Sequence, residues 1–360
     1  MNIGLINTYS YNNIGDAAIY AALSQLLEDY PVYSTLKNKS GDAAKTIQYR
    51  KNLSGCDSYI SVGGDIFNNT RPWLLTRNFL KNLKQLRLSP KTTFLFGQSI
   101  PSSCSGIALK LLSTHLKQLG TVVVRDQQSY NTLSSLGVKC SLSYDTAFIL
   151  STSNKAIKTA AEILTKLRAP RSAVISIREF NDLYPVDNAL FIRNISLLCK
   201  QLKEHKYQPV LLIQSNVSKH DTDRHIANAI KQQCPEAKIL DLFEYSTLMP
   251  SWELLQAILM ISRLIVAVRY HTAVLALAAG RTPFNLFYSN KGADLSNRLN
   301  IPGCHVDQFT PSRYLTRIEQ TGHTIFNPKP MRTSIQSNFQ KGMDRCHFNY
   351  SAAEEHYEHA

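Results

Sequence analysis

Short apolar runs rich in β-branched and aromatic residues recur along the chain, with helical patterns between them. "NIGLI", "YISVGG", "TTFLFGQ" and "TVVVRD" come first; "AVISIR", "PVLLIQ", "AKILDL", "RLIVAV" and "PFNLF" follow. Strands that alternate with helices pair in parallel, because a crossover helix returns the chain to the end from which the last strand started. The fold class is therefore α/β with parallel sheets. Within "DAAIYAALSQLLEDY", Ala18, Ile19, Ala22, Leu23, Leu26 and Leu27 share one face at spacings of three and four, as expected of a helix that covers a sheet.

The polar segment "STSNKAIKTAAEILTKLRAPRS" separates the two strand series, and its Pro170 closes a helical pattern before the strand at Ala173. A domain junction is expected there, with one domain over 1–155 and a second over 172–326. Residues 327–360 then form a helix and a polar tail. A chain of 360 residues can supply each domain with its own core. No apolar run reaches the roughly 18 residues of a membrane span. The best candidate, "LIVAVRYHTAVLALAAG", is interrupted by Arg269 and His271. A soluble protein is expected.

Seven cysteines, odd in number and without a C-x-x-C pair, argue against a disulfide framework and a zinc site, and fit a reducing cytoplasm. His347, His356 and His359 lack a compact metal-ligand spacing and read as a solvated tail. The net charge of +14 favours anionic partners, with Lys and Arg dispersed along the chain. Anionic substrates or an anionic membrane surface suit it better than nucleic acid, for which no basic stripe with stacking aromatics is present. No P-loop, G-x-S-x-G elbow or complete G-x-G-x-x-G appears.

The chemistry-bearing residues fall at the carboxyl ends of the expected strands, the edge where open α/β sheets bind ligands. In "NNIGDAAI", Asn13, Gly15 and Asp16 stand where a strand gives way to a helix. Asp16 either caps that helix or faces a ligand at its positive end. Gly63 and Gly64 follow a strand and serve either close backbone approach to a ligand or tight packing. Gln98 and Ser99 repeat the theme, and "VVVRDQQSY" ends its strand on Arg125 and Asp126. In the second half Arg178 ends one strand, and Arg269 and His271 stand at another strand-to-helix turn. That pair suits an anion that exchanges a proton, or a surface arginine beside a capping histidine. Lys291 adds a cation at the same edge, whereas Asp182, Asp187, Asp221 and Asp223 read as loop and cap residues.

"NNIGDAAI", "VGGDIF", "FGQSIP", "VRDQQSYNTLSSLGV", "SYDTAF", "ISIREF" and "RYHTAVLALAAGRTPFNLFYSNKG" stand in the order of the polysaccharide pyruvyl transferase family, which the chain resembles over roughly residues 3 to 300. The resemblance implies two Rossmann-like domains in a glycosyltransferase-B-like arrangement. It also implies transfer of the pyruvyl group of phosphoenolpyruvate to a sugar, or a lipid-linked saccharide, as a ketal in surface polysaccharide synthesis. Neither a metal nor an organic cofactor is implied. Arg269 and His271 match the family's Arg-x-His element and Arg178 its arginine at the first strand of the second domain. Both arginines would hold the donor, and His271 would be the acid/base. Where the family usually has three glycines this chain has Gly63, Gly64 and Asp65, and "GQSIPSS" lacks the usual glycine before Pro101. A nucleotide-sugar glycosyltransferase and a non-catalytic sugar-binding relative share the architecture and stand as alternatives.

Overall fold

The computed structural model describes residues 1–37, 47–69, 71, 73–180, 184–218 and 221–358, with the side chains of the last helix described as far as Asn349. Asp182 and His359 lie outside the described residues, as do the side chains of Asp221 and His356.

The first half contributes β1 (Ile3–Ile6), β2 (Val32–Ser34), β3 (Ile47–Tyr49), β4 (Ser58–Ser61), β5 (Thr93–Gln98), β6 (Thr121–Val124) and β7 (Ser141–Leu142). They form one parallel sheet in the order β3-β2-β1-β4-β5-β6-β7. The second half contributes β8 (Ser172–Ser176), β9 (Gln208–Ile213), β10 (Asn216–Ser218), β11 (Asp221–Thr222), β12 (Lys238–Asp241), β13 (Leu264–Ala267), β14 (Phe284–Phe287) and β15 (Gly303–His305). Six of these form a second parallel sheet, β12-β9-β8-β13-β14-β15, while β10 and β11 make a separate antiparallel pair.

Both sheets grow outward from their first strand and then restart on its other side. The order is that of doubly wound sheets, which open a ligand crevice where the winding reverses. The reversals lie between β1 and β4 and between β8 and β13.

Twelve helices complete the described chain: α1 (Ile14–Leu26), α2 (Arg77–Gln85), α3 (Gly106–Leu116), α4 (Gln127–Ser135), α5 (Asn154–Lys166), α6 (Asn188–Glu204), α7 (Arg224–Gln233), α8 (Ser251–Ile261), α9 (Tyr270–Ala278), α10 (Asn290–Leu299), α11 (Pro311–Thr321) and α12 (Lys329–Glu358). Phe79 and Leu83 of α2 and Leu112 and Leu116 of α3 cover the outer face of the first sheet at Leu95 and Val122. Residues of α6, α7 and α11 cover the outer face of the second. The inner faces share one apolar core, built from α1, α5, α8, α9 and α12.

This arrangement alters the expectation for α1. Far from burying one stripe, it buries all of Ile14, Gly15 and 17–24, because it is packed between the halves rather than laid on a surface. The segment between the two strand series folds as α5, whose Ala156, Ala160 and Ile163 belong to that inner core.

The segment expected as a helix and polar tail is one helix as far as Glu358. No proline follows Pro330, and "SAAEEHYE" is made largely of good helix formers. His347 lies exposed on it, with Nε2 3.1 Å from the Tyr30 hydroxyl. The helix returns the chain to the first sheet: the Phe339 ring meets Phe94 and Phe96 at 5.8 and 5.2 Å between centroids. Gly342 is required there, since a Cβ would overlap the Phe94 ring. Phe339→Ala should therefore lower unfolding free energy by about 3–5 kcal/mol in urea denaturation, as for other fully packed phenylalanines. A loss under about 1 kcal/mol would mean that α12 adds little to the first sheet.

Candidate active site

The carboxyl ends of the two sheets meet. Gly15, in the first turn of α1, lies against the ring of His271, in the first turn of α9, so closely that any Cβ at position 15 would overlap the imidazole. Beside this contact the chain after β1 pairs with the chain after β9. Asn13 and Ser215 form an antiparallel bridge, and Ile14 N–H donates to Gln214 O at 3.2 Å. Both reversal points thus open onto one cleft.

His271 Nε2 stands 3.5 Å from Asp145 Oδ2 and, among the described residues, makes no hydrogen bond. Burial lowers the imidazole pKa below its ordinary 6.5 against the pull of Asp145, and the Arg125 and Lys291 charges lower it further. The neutral form of the ring is thereby favoured. Burial works against the Asp145 charge, but His271, when protonated, and Arg125 outweigh it and hold the carboxyl far below its usual range.

Arg125, 2% exposed at the end of β6, donates to Asp145 at 2.5 Å, to Asp65 at 3.3 Å and to Ser99 Oγ at 2.7 Å. Asp65 also accepts from Lys291, which comes from the other half of the chain. Burial alone would raise its pKa, yet Lys291 and Arg125 bring it down to about 2. Arg269 is clasped by the fully buried Asp223, whose carboxylate also accepts from the Gln214 and Ser215 amides at 2.8 and 3.0 Å. Arg178 donates to the Tyr288 hydroxyl, and its guanidinium carbon lies 4.7 Å from the Tyr184 ring and 4.5 Å from the Tyr288 ring. Among the described residues it has no carboxylate partner. Arg178, Lys291 and Arg269 all lower the Tyr288 pKa against burial, so these cations converge on one hydroxyl.

Several expected site residues take supporting positions. Asn13, not Asp16, caps α1: its side chain accepts from Gly15 N–H at 2.9 Å. Asp16 sits three positions further on in the first turn, where a carboxylate complements the positive helix end. Gly63 and Gly64 extend the pairing of β4 with β5 beyond the strands proper: a Cβ at Gly63 would overlap Gly97 O, and Gly64 bridges Gln98 with φ 110°. Gln98 is fully buried and donates to Gly64 O and Ser99 O, while Ser99 Oγ holds Arg125. Gln98 is turned inward because its amide completes that backbone pairing.

Asp145, Tyr184 and Tyr288 join the site without having been singled out as site residues, and Arg125, expected only at its strand end, lies at the centre of the site's ion pairs. Asp223 is no ordinary cap, since its side chain makes no cap bond and serves Arg269 instead. Asp187 does cap its helix, accepting from Ala189 N–H at 2.8 Å. Among the described residues no three His, Cys, Asp or Glu side chains are grouped to hold a metal ion.

Two parallel sheets meeting at their carboxyl edges define a glycosyltransferase-B-like fold. Solved structures agree. The Anabaena protein HepE in complex with UDP-glucose superposes with TM-score 0.56 at 10% identity, covering 100% of both chains. An α,α-trehalose-phosphate synthase (UDP-forming) from Burkholderia vietnamiensis gives 0.54 at 10% identity over 98% of each chain. A UDP-N-acetylglucosamine 2-epimerase from Rickettsia bellii gives 0.51 at 9% identity over 98% of this chain and 97% of that one. No curated protein matches the sequence. The profile of the polysaccharide pyruvyl transferase family matches residues 13–290, and the chain belongs to that family.

Two outcomes test this geometry. Asn13→Ala should cost about 1 kcal/mol of stability, and Asp16→Asn less than half of that, because Asn13 is the cap that accepts from the Gly15 amide and an asparagine at position 16 keeps a polar side chain there. The reverse ranking in denaturant titrations would return the cap to Asp16. The depressed His271 pKa also fixes a sign: the unfolded imidazole takes up a proton as pH falls through about 6.5, while the folded one resists until lower pH. Stability should be lost over that window, and His271→Gln should flatten the loss between pH 7.5 and 5.5. An identical slope in both proteins would show that His271 is not held neutral.

Proposed function

We propose that the protein transfers the pyruvyl group of phosphoenolpyruvate to two hydroxyls of a sugar, closing a ketal, in surface polysaccharide synthesis. The observation that carries the reading is the half-buried His271 between the two helix N-termini, its pKa lowered by burial, with a buried Nε2 that stands 3.5 Å from Asp145 Oδ2 and makes no hydrogen bond among the described residues, and with cations around it. Family membership supports the reaction class. Free cysteines and the absence of any helix among the described residues long and apolar enough to cross a membrane suit work on a cytoplasmic donor.

The chemistry moves two hydroxyl protons. One ends on the donor's methylene carbon, which becomes a methyl group, and the other leaves with phosphate. Protonation of that carbon leaves an electron-poor centre for the first hydroxyl; phosphate then departs as the second hydroxyl closes the ring.

His271 is the acid/base of these steps. Its pKa is depressed in the free protein partly by Arg125 and Lys291. A bound phosphate and carboxylate would offset those charges and raise it, so donor binding itself would load the acid. Arg178 is the first choice to hold the donor, because its charge is opposed by aromatic rings rather than by a carboxylate. Arg269, committed to Asp223, orients the turn that bears His271.

Calorimetric titration with phosphoenolpyruvate near pH 7, in buffers of different ionisation enthalpy, should show binding with proton uptake. His271→Ala should still bind the donor, take up less proton and release no phosphate. Arg178→Ala should weaken donor binding by about 1.5–3 kcal/mol. Binding of UDP-glucose with no binding of phosphoenolpyruvate would overturn the reading in favour of a nucleotide-sugar transferase. Binding of neither donor would favour a sugar-binding relative.

A further inference from the structure

We infer that the outer face of α2 and α3 is a docking surface for the anionic headgroup layer of a lipid bilayer. Three features meet there.

The first is exposed apolar surface on a folded, well-packed unit. Trp73 is 84% exposed and Leu74 57%, in the turn that leads into α2; Leu80 and Leu88 beside them and Ile107 on α3 are exposed as well. Between the helices runs a groove of about 390 Å³ lined by Leu80, Leu83, Lys84, Arg87, Leu88 and Leu111. Large apolar side chains this open are not required by the core, which Phe79 and Leu83 of α2 already serve.

The second is charge of one sign. No Asp or Glu stands anywhere between Asp65 and Asp126, whereas Arg77, Lys81, Lys84, Arg87 and Lys110 are all exposed within that stretch. Apolar side chains interleaved with cations, and a tryptophan at the margin, suit a helix lying in the headgroup boundary, where the rings and leucines enter and the ammonium groups meet lipid phosphate. A second copy of the chain would bring this face against itself, cation to cation, in a two-fold contact. The patch offers nucleic acid one stacking ring.

The third is connection to the cleft. Asn82 donates to Ile66 O at 2.8 Å, and Gln85 accepts from Asn7 N–H at 2.8 Å, so α2 is tied to the loops after β4 and β1 that carry Asp65 and Asn13. A bilayer held on this face would lie beside the cleft's first-sheet wall. This inference stands whatever donor the cleft takes.

The test uses the full chain with two vesicle compositions, phosphatidylcholine alone and phosphatidylcholine with phosphatidylglycerol. The protein should sediment with the anionic vesicles and not the zwitterionic ones, and added salt should release it. Of the two tryptophans, Trp252 can be replaced by Phe, which leaves Trp73 as the reporter; its emission should shift to the blue on anionic vesicles only. Lys81→Gln/Lys84→Gln should weaken partitioning about thirtyfold, and Trp73→Ala/Leu74→Ala should abolish the sedimentable fraction at high vesicle dilution. These positions are exposed, so unchanged melting is expected. No partitioning, partitioning unaltered by the lysine pair, or a dimer that the same substitutions dissociate would each overturn the proposal.

Discussion

The His271 ring fills the volume that a side chain at position 15 would occupy, and much of the architecture follows from that contact. It fixes how near α1 and α9 approach, end to end, and so how near the two sheet edges come. The remainder of both helices obeys the same limit. Ala18, Ala21 and Ala22 on α1 and Ala273, Ala276 and Ala278 on α9 are all buried in the core that the halves share. Small residues on every side are what allow a helix to pass between two layers instead of lying on one. The cleft is therefore bounded by a packed core rather than by a flexible seam, and His271 is held by the same packing that joins the halves.

Bringing two carboxyl edges together concentrates cations, because Arg125, Arg178, Arg269 and Lys291 all stand just beyond strands or at the next helix. A buried cation without a partner is costly. The structure answers with three carboxylates: Asp145 and Asp65 for Arg125, Asp65 again for Lys291, and Asp223 for Arg269. This gives a physical account of Asp65, which follows Gly63 and Gly64 beyond the end of β4. Its carboxylate spans the halves by accepting from Arg125 on one side and Lys291 on the other. Among the described residues Arg178 is the one of the four with aromatic faces and no carboxylate, whereas Arg125 and Lys291 share the Tyr270 ring in addition to their carboxylates; the rings oppose its charge weakly and leave it able to meet an anion.

What could be read from the sequence was whatever had a local signature. Each of the nine apolar runs read as strands became a strand of the two sheets, and the turns after β1, β4, β8 and β13 are where the cleft formed. The short strands β2, β3, β7 and β15 carry no sustained apolar run, since they lie at or near sheet margins and need only two or three residues to complete a ladder. Asp145 and Asp223 were illegible for another reason. Asp145 is 126 positions from His271 by number, and nothing in "SYDTAF" or "DTDRH" shows that a carboxylate serves a distant cation, which Asp145 does while one of its oxygens also caps its own turn at Ala147. Asn13 and Asp16 show the converse: both are good residues for a helix start, and only the backbone decides which of them receives the free amide.

The same division explains how the net charge of +14 is distributed. Inside the cleft, cations are nearly balanced by carboxylates, because burial there would otherwise oppose folding. The excess must then reside where water screens it and pairing is not enforced. Along the sequence Lys and Arg look dispersed, with no block long enough to notice. The fold changes that picture, since α2 and α3 lie side by side and the chain from 66 to 125 contains no acidic residue at all. Helical spacing gathers what the sequence spreads: Arg77, Lys81 and Lys84 recur at intervals of four and three, beside Leu80 and Leu88. A one-signed, leucine-bearing face therefore arises from residues that no linear motif connects, on the wall of the protein nearest to its first-sheet loops.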